Sequence, residues 1–179
     1  MSKLEKNSTA PDFTYNTAYE NGKTFHPQLS DKGNVLMFSR YIGCSVCQMK
    51  LMEMNDDYKK FEAQGIKVFF VLQSRTETTK PKLDELNIPF DVIIDTEKEL
   101  YKLYSIPAAK SKAGLVSPKV LGMIKKAKDL GIEHGEYEGE ELQLPAVFVI
   151  DGAGNIKLAH YAKNLGDLPS TDELINAAK

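Results

Sequence analysis

The sequence predicts an α/β chain, a central mixed β-sheet flanked by helices. Three observations carry that prediction. Val35 to Ser39, Ile66 to Leu72 and Ala146 to Ile150 are short continuous apolar runs, the mark of strands buried on both faces. A segment with helical spacing separates the first two, and strand, crossover helix, strand implies a right-handed parallel βαβ unit. The third run is followed by a turn and a returning strand, which adds an antiparallel pair. At 179 residues the length suits one domain, 1–179.

The elements follow in order. Phe13 to Tyr15 and Lys23 to Phe25 read as two short strands around Glu20-Asn21-Gly22, because Asn-Gly is a strong turn signal. After the Val35 strand comes a helix of about five turns, with an apolar stripe at Leu51, Met54, Tyr58 and Phe61, closed by Gln64-Gly65. Strand Ile66 to Leu72 is followed by a helix over Thr76 to Asn87, a strand over Phe90 to Ile94 and a short helix over Glu97 to Tyr104. Ser117-Pro118 supplies an N-cap with proline at the first helical position, opening a helix to about Leu130 that stops at Gly131. Residues 131–141 are acidic and read as a solvated loop. Pro145 precedes the Ala146 strand, Asp151-Gly152-Ala153-Gly154 turns the chain, and Asn155 to Tyr161 returns. Ser170 or Thr171 caps a last helix, Asp172 to Ala178. The order βαβ, insertion, ββα is the thioredoxin plan, with an N-terminal β-hairpin and an insertion at about 108–142 before the Pro145 strand.

The only two cysteines form Cys44-Ser45-Val46-Cys47, between a predicted strand and a predicted helix. Thiols three positions apart can close a disulfide across one helical turn, and a helix N-terminus favours thiolate over thiol. A structural zinc site needs four ligands. There is no second cysteine pair, and His26, His134 and His160 are scattered. A purely structural disulfide would close a tiny loop and stabilise little. The pattern therefore reads as redox chemistry, with no metal and no cofactor required. Extending the helical stripe backwards places Cys47 on the core side and Cys44 at the solvent-facing end, an inequality that suits a nucleophile and a resolving partner.

A formal net charge of −2 gives no reason to expect nucleic acid or an anionic membrane as partner. No apolar run approaches the roughly 20 residues needed to span a bilayer. Met1 to Ala10 is polar and lacks the apolar core of a signal peptide. The expectation is a cytoplasmic protein, where an isolated Cys-x-x-Cys is catalytic more often than structural.

The segment Phe38-Ser39-Arg40-Tyr41-Ile42-Gly43-Cys44-Ser45-Val46-Cys47 resembles the Phe-x-Arg-x-x-Gly-Cys-x-x-Cys of peroxiredoxin-like proteins. These belong to the thioredoxin-fold superfamily of alkyl hydroperoxide reductase and thiol-specific antioxidant proteins. Looser matches are Ala10-Pro11-Asp12-Phe13, Phe90 to Tyr101, Val147 to Ile156 and Gly166-Asp167. The resemblance implies a dithiol–disulfide cycle that reduces a disulfide or a peroxide. It also implies resetting by a thiol reductant, a thioredoxin-like protein or a small thiol. Some relatives are prostaglandin-type endoperoxide reductases. Relatives often associate, so a homodimer is compatible with the resemblance, although no interface can be read.

The departures from true peroxiredoxins are specific. Those enzymes carry Pro-x-x-x-Thr-x-x-Cys, with the last residue peroxidatic. Aligned on Cys47, this chain has Arg40 for the proline and Cys44 for the threonine. The family arginine before the strand matching Val147 to Ile150 falls near Pro145, and the only arginines are Arg40 and Arg75. The usual hydroxyl and arginine that polarise a peroxide are therefore missing. Pro145 resembles the thioredoxin proline, which in that family forms a cis peptide facing the cysteines; the plain alternative is a trans proline starting a strand. Two orders of attack stay open. A thioredoxin-like reading makes Cys44 the nucleophile and Cys47 the resolver, and exposure favours it. A peroxiredoxin-like reading makes Cys47 the first target, oxidised to sulfenic acid, with Cys44 resolving. A non-enzymatic redox sensor is a further alternative. Arg40 either tunes a thiol or holds an anionic group, or is a surface arginine. Tyr41 packs beside the cysteines or anchors the loop. His160 and the Asp151 turn read as structural, and Glu53, Asp56 and Asp57 as a wet helix face. The insertion 108–142 is expected to set substrate access.

Overall fold

In a computed structural model, seven strands form one sheet in the order β2-β1-β5-β4-β3-β6-β7. The structure describes residues 2–179; Met1, the first residue of the polar N-terminal stretch, lies outside them. The strands are β1 (Thr14–Thr17), β2 (Lys23–Thr24), β3 (Asn34–Phe38), β4 (Lys67–Leu72), β5 (Asp91–Ile94), β6 (Ala146–Ile150) and β7 (Ile156–Tyr161). The helices are α1 (Ser45–Asp56), α2 (Tyr58–Ala63), α3 (Thr76–Leu86), α4 (Glu99–Leu103), α5 (Pro118–Asp129) and α6 (Thr171–Ala178). Strands β3, β4 and β5 run parallel, while β6 joins β3, β7 joins β6 and β1 joins β5 antiparallel. The mixed α/β sheet of the thioredoxin-like plan is realised.

Strand alternation explains the continuous apolar runs. In β3, Val35 and Met37 enter one layer with Leu51 and Met54 of α1, Phe61 of α2 and Leu174 of α6. Leu36 and Phe38 enter the opposite layer with Phe69, Phe148, Tyr104 and the N-terminal Phe13 and Phe25. All five β3 residues are buried, as a strand covered on both faces demands. Phe38 is the hinge of the second layer: its ring centroid stands 5.2 Å from Tyr104 and 5.9 Å from Phe148, in tilted and edge-on contacts.

One local expectation, the single five-turn helix, is corrected, and two others are sharpened. The N-terminal strands pair antiparallel around Glu20-Asn21-Gly22 as expected, over two residue pairs. Thr14 pairs with Thr24 and Tyr15 with Lys23, while Asn16 and Thr17 turn to β5. The loop is held by the Thr17 N–H on the Glu20 carbonyl and the Gly22 N–H on Asn16 Oδ1, each at 2.8 Å. The five-turn helix is two helices, broken at Asp57, whose carboxylate is drawn to Lys60 at 2.8 Å rather than left on a continuous helix face. The break lets Tyr58 stack against Phe90, with ring centroids 5.6 Å apart. At the last helix Ser170 is the cap. Its hydroxyl accepts the Glu173 N–H while Glu173 reaches back to the Ser170 N–H, a capping box.

The insertion is closed at its base, where the Ala109 N–H donates to the Leu142 carbonyl at 2.7 Å and Ala108 bridges Gln143. Ser117 caps α5 as expected, its hydroxyl accepting the Val120 N–H. Helix α5 lies against α1, so the insertion sits beside the cysteines.

Candidate active site

Strand β3 delivers the chain to the site. Beyond Phe38 the backbone stays tied to β4 and its following loop. The Ser39 N–H donates to Val71, Arg40 accepts from Gln73 N–H, and the Ile42 N–H donates to Ser74 Oγ at 2.7 Å. Cys44 then takes the N-cap position of α1 in an extended conformation (φ −72°, ψ 115°). Its Sγ accepts the Cys47 N–H at 3.3 Å, the bond a serine or aspartate would make in that position.

Both cysteines are free, and their sulfurs stand 2.7 Å apart. A disulfide of about 2.05 Å is therefore reachable by a small side-chain shift. The expected solvent-facing Cys44 is not found: it is 3 % exposed and Cys47 is 5 % exposed. The cover comes from distant parts of the chain, with Leu115, Val120, Leu144 and Leu165 packed around Tyr41 and the thiols.

Residues 131–141 are a loop exposed at most positions, as expected, but the loop is pinned as a strap across the site and buries Glu138. The Gly135 N–H donates to the Gly43 carbonyl at 2.7 Å, and a Cβ on Gly43 would collide with the Glu136 carbonyl. Glu138 is buried, where its carboxylate accepts from the Arg75 N–H and Nε, each at 3.1 Å, and from the Thr78 hydroxyl. The Glu140 N–H donates to Gln73 Oε1 at 2.7 Å. Backbone groups that a loop would leave to water are thus met by the ends of β3 and β4.

Arg40 is buried, 6 % exposed, and is not a surface arginine. Its Nη2 donates to Tyr41 Oη at 2.7 Å, while its Nε finds no partner. Burial works against its charge, but Cys44, Cys47 and Tyr41 outweigh burial and raise its pKa. Tyr41, wholly buried, lies beneath the guanidinium at 4.8 Å. Burial pushes its hydroxyl up to about 12.

The two thiols are unequal. Burial raises Cys47, but hydrogen bonds from Cys44 and Ser39, the Arg40 charge and the Arg40 N–H together overcome it and bring Cys47 down to about 7. Cys44 is pushed well up, first by its hydrogen bond to Cys47 and then by burial. The 2.7 Å contact carries one shared proton. In the neutral pair Cys47 donates to Cys44; once the pair loses a proton, the remaining one sits on Cys44 and points at the Cys47 thiolate. The Ser39 hydroxyl, which the sequence reading passed over, supplies a donor in place of the missing threonine. Its only sequence signal is its place between the β3 run and Arg40.

Pro145 immediately precedes β6 on the same side. No cis peptide occurs among the described residues, so the Leu144–Pro145 bond is trans and the plain alternative holds. Ser39, Arg40, Cys47, Lys50 and Pro145 border a cavity of about 10 Å³, room for about one water molecule. Arg40, Tyr41, Cys44, Cys47 and Pro145 are therefore brought together. His160 is apart, its Nε2 2.7 Å from the Asp167 carbonyl. Asp151 is a turn residue, accepting the Ala153 and Asn155 N–H groups at 3.0 and 2.8 Å. Among the described residues no group of three His, Cys, Asp or Glu stands close enough to hold a metal ion, and no helix is long and apolar enough to cross a membrane.

Comparison with known proteins identifies the family and the fold. The prostamide/prostaglandin F synthase of Salmo salar is 27 % identical over 157 residues, covering 82 % of this chain and 74 % of the relative. The fold is shared with a peroxiredoxin-like protein from Aquifex aeolicus at TM-score 0.71 and 17 % identity, covering 99 % of this chain and 88 % of that one. A protein from Chlorobium tepidum named a putative thiol:disulfide interchange protein DsbE matches at TM-score 0.66 and 20 % identity over 98 % and 99 % of the two chains. A family model described as the AhpC/TSA family matches residues 7–159, so this chain belongs to that family.

Proposed function

We propose that this chain is a thiol-dependent oxidoreductase that reduces the O–O bond of a small peroxide. Cys47 reacts first and Cys44 resolves. Membership of the AhpC/TSA family supports thiol redox chemistry in general. One observation carries the finer reading: a buried arginine whose raised pKa rests on the two thiols and Tyr41. A buried cation left without an anion is costly, and a Cys47 thiolate supplies that anion.

The Cys47 thiolate attacks one peroxide oxygen. The S–O bond forms as the O–O bond breaks, giving Cys47 sulfenic acid and an alkoxide or hydroxide that takes a proton to leave as alcohol or water. The Arg40 guanidinium and the Ser39 hydroxyl lie beside the sulfur where negative charge moves onto oxygen, the electrostatic help such a displacement needs. Cys44 sulfur then attacks the sulfenic sulfur, hydroxide leaves and is protonated to water, and the Cys44–Cys47 disulfide forms. An external dithiol or two small thiols restore the reduced pair by exchange. Burial of both sulfurs and a cavity of about 10 Å³ favour a small peroxide over a protein disulfide. The exposure argument for Cys44 as the first nucleophile is not met.

The salmon relative, named a prostamide/prostaglandin F synthase, supports O–O cleavage of a bulkier endoperoxide as a second reading. Stopped-flow oxidation of the reduced protein by hydrogen peroxide, a lipid endoperoxide and a protein disulfide separates these. The account expects hydrogen peroxide to react fastest. A protein disulfide reacting fastest would overturn the proposal, and a faster endoperoxide would replace the small peroxide with the larger one.

A further inference from the structure

His134 was set aside in the sequence as one of three scattered histidines. The structure brings its ring to the site on the strap, with Nε2 3.1 Å from Tyr41 Oη and Nδ1 2.8 Å from the Gly135 carbonyl. The donors in this chain of contacts can be assigned by chemistry. A guanidinium only donates, so Tyr41 Oη accepts from Arg40 Nη2. The single Tyr41 O–H proton is then free for His134, so Nε2 must accept it. Nδ1 therefore carries the ring proton, and it faces a carbonyl. The hydrogen bonds thus run in one direction, from Arg40 through Tyr41 to His134 and the strap backbone. Tyr137 packs against the imidazole at a 32° tilt, ring centroids 4.3 Å apart, and against Tyr41 at 5.8 Å, so the three rings form one cluster.

We infer that His134 is a positioning residue, which acts through Tyr41 to hold the Arg40 guanidinium beside the Cys44–Cys47 pair. Without an acceptor at Nε2, the buried Tyr41 hydroxyl has no place for its proton except toward Arg40 or the sulfurs. A hydroxyl that turns its hydrogen toward a guanidinium no longer accepts from it, and Arg40 loses its only side-chain hydrogen bond. The inference rests on the proposed function only in taking the dithiol as the reactive centre. Its test reads the thiols directly and needs no turnover.

Two substitutions separate hydrogen bonding from packing. His134→Phe keeps an aromatic ring packed against Tyr41 and Tyr137 and removes the acceptor. His134→Gln keeps an acceptor at similar reach and removes the ring. The readout is the pH titration of thiolate ultraviolet absorbance in the reduced protein, together with the rate of alkylation by a small neutral reagent near neutral pH. In His134→Phe the first thiolate titration should move upward by about one unit, leaving about fivefold less thiolate at neutral pH. His134→Gln should stay within about twofold of the parent on the same scale. A His134→Phe titration that overlays the parent would overturn the inference. So would Phe and Gln variants shifted equally, because the effect would then be packing of the strap. If no peroxide reacts with any form but the Phe and Gln variants separate as expected, the proposed substrate fails while the role of His134 stands.

Discussion

At the scale of single residues, Arg40 is the group on which the account turns. It carries a full charge at 6 % exposure, and burial alone would disfavour that charge. The compensation is mutual: the thiols keep Arg40 protonated, and Arg40 helps to bring Cys47 down to about 7. A thiol is an acid, so a lowered pKa means that thiolate is present above about 7 and is lost below it. The rate of the first oxidation should accordingly rise as pH increases through about 7 and level off above it, read by stopped flow across a pH series. Arg40→Met should move that midpoint upward by about one pKa unit or more and slow the first oxidation at neutral pH by about fivefold or more. An unchanged profile would remove Arg40 from the chemistry. The Cys pair, Arg40 and Tyr41 were legible in the sequence because they are local: ten consecutive residues, Phe38 to Cys47, hold them all. The depth of Cys44 was not legible, because a helical stripe gives a direction on one helix and says nothing of the strap and insertion that later cover it.

At the scale of elements, the strap over 131–141 is exposed loop, as its composition suggests, yet it is pinned at a few positions that composition does not show. Five glutamates among its eleven residues read as a solvated stretch, yet Glu138 finds four donors on Arg75, Ser74 and Thr78. Burial raises the Glu138 pKa, but those hydrogen bonds outweigh burial and hold it below the ordinary glutamate value. Its contribution to holding the strap is thus whole above that ordinary value and is lost as pH falls through the lower folded one. Hydrogen exchange of strap amides should show release on acidification through that window, and Glu138→Gln should show the release already at neutral pH. Gly43→Ala tests the strap from the other side. Its Cβ meets the Glu136 carbonyl, so the strap must lift. The expected outcome is proteolytic cleavage within 131–141 at least several-fold faster than in the parent, checked by limited digestion. Equal cleavage rates would mean that the strap does not depend on the close approach at Gly43. Helix starts, by contrast, were readable, because a cap is written in one or two residues. Ser170→Ala should cost about 1 kcal/mol of stability by denaturant titration.

At the scale of the whole molecule, the strand order follows from apolar runs that demand cover on both faces, with the two layers of core meeting at β3 and β6. That much was legible as a mixed sheet in the thioredoxin plan. The transfer of Asn16 and Thr17 from the hairpin to β5 was not, since pairing between distant segments leaves no local signal. Phe148 lies at the centre of the aromatic layer, with Phe38, Tyr104 and Tyr161 rings within 6 Å. Phe148→Ala should cost about 3–5 kcal/mol, a large part of the roughly 5–15 kcal/mol that a domain of this kind holds, seen as a lower denaturant midpoint. The most direct test of the central claim is a sulfenic-acid trap during hydrogen peroxide oxidation of the reduced Cys44→Ser and Cys47→Ser proteins. The account predicts that Cys44→Ser is oxidised at near the parent rate and accumulates trapped sulfenic acid on Cys47, while Cys47→Ser reacts little above a free thiol. Fast oxidation of Cys47→Ser, with the trap on Cys44, would contradict it.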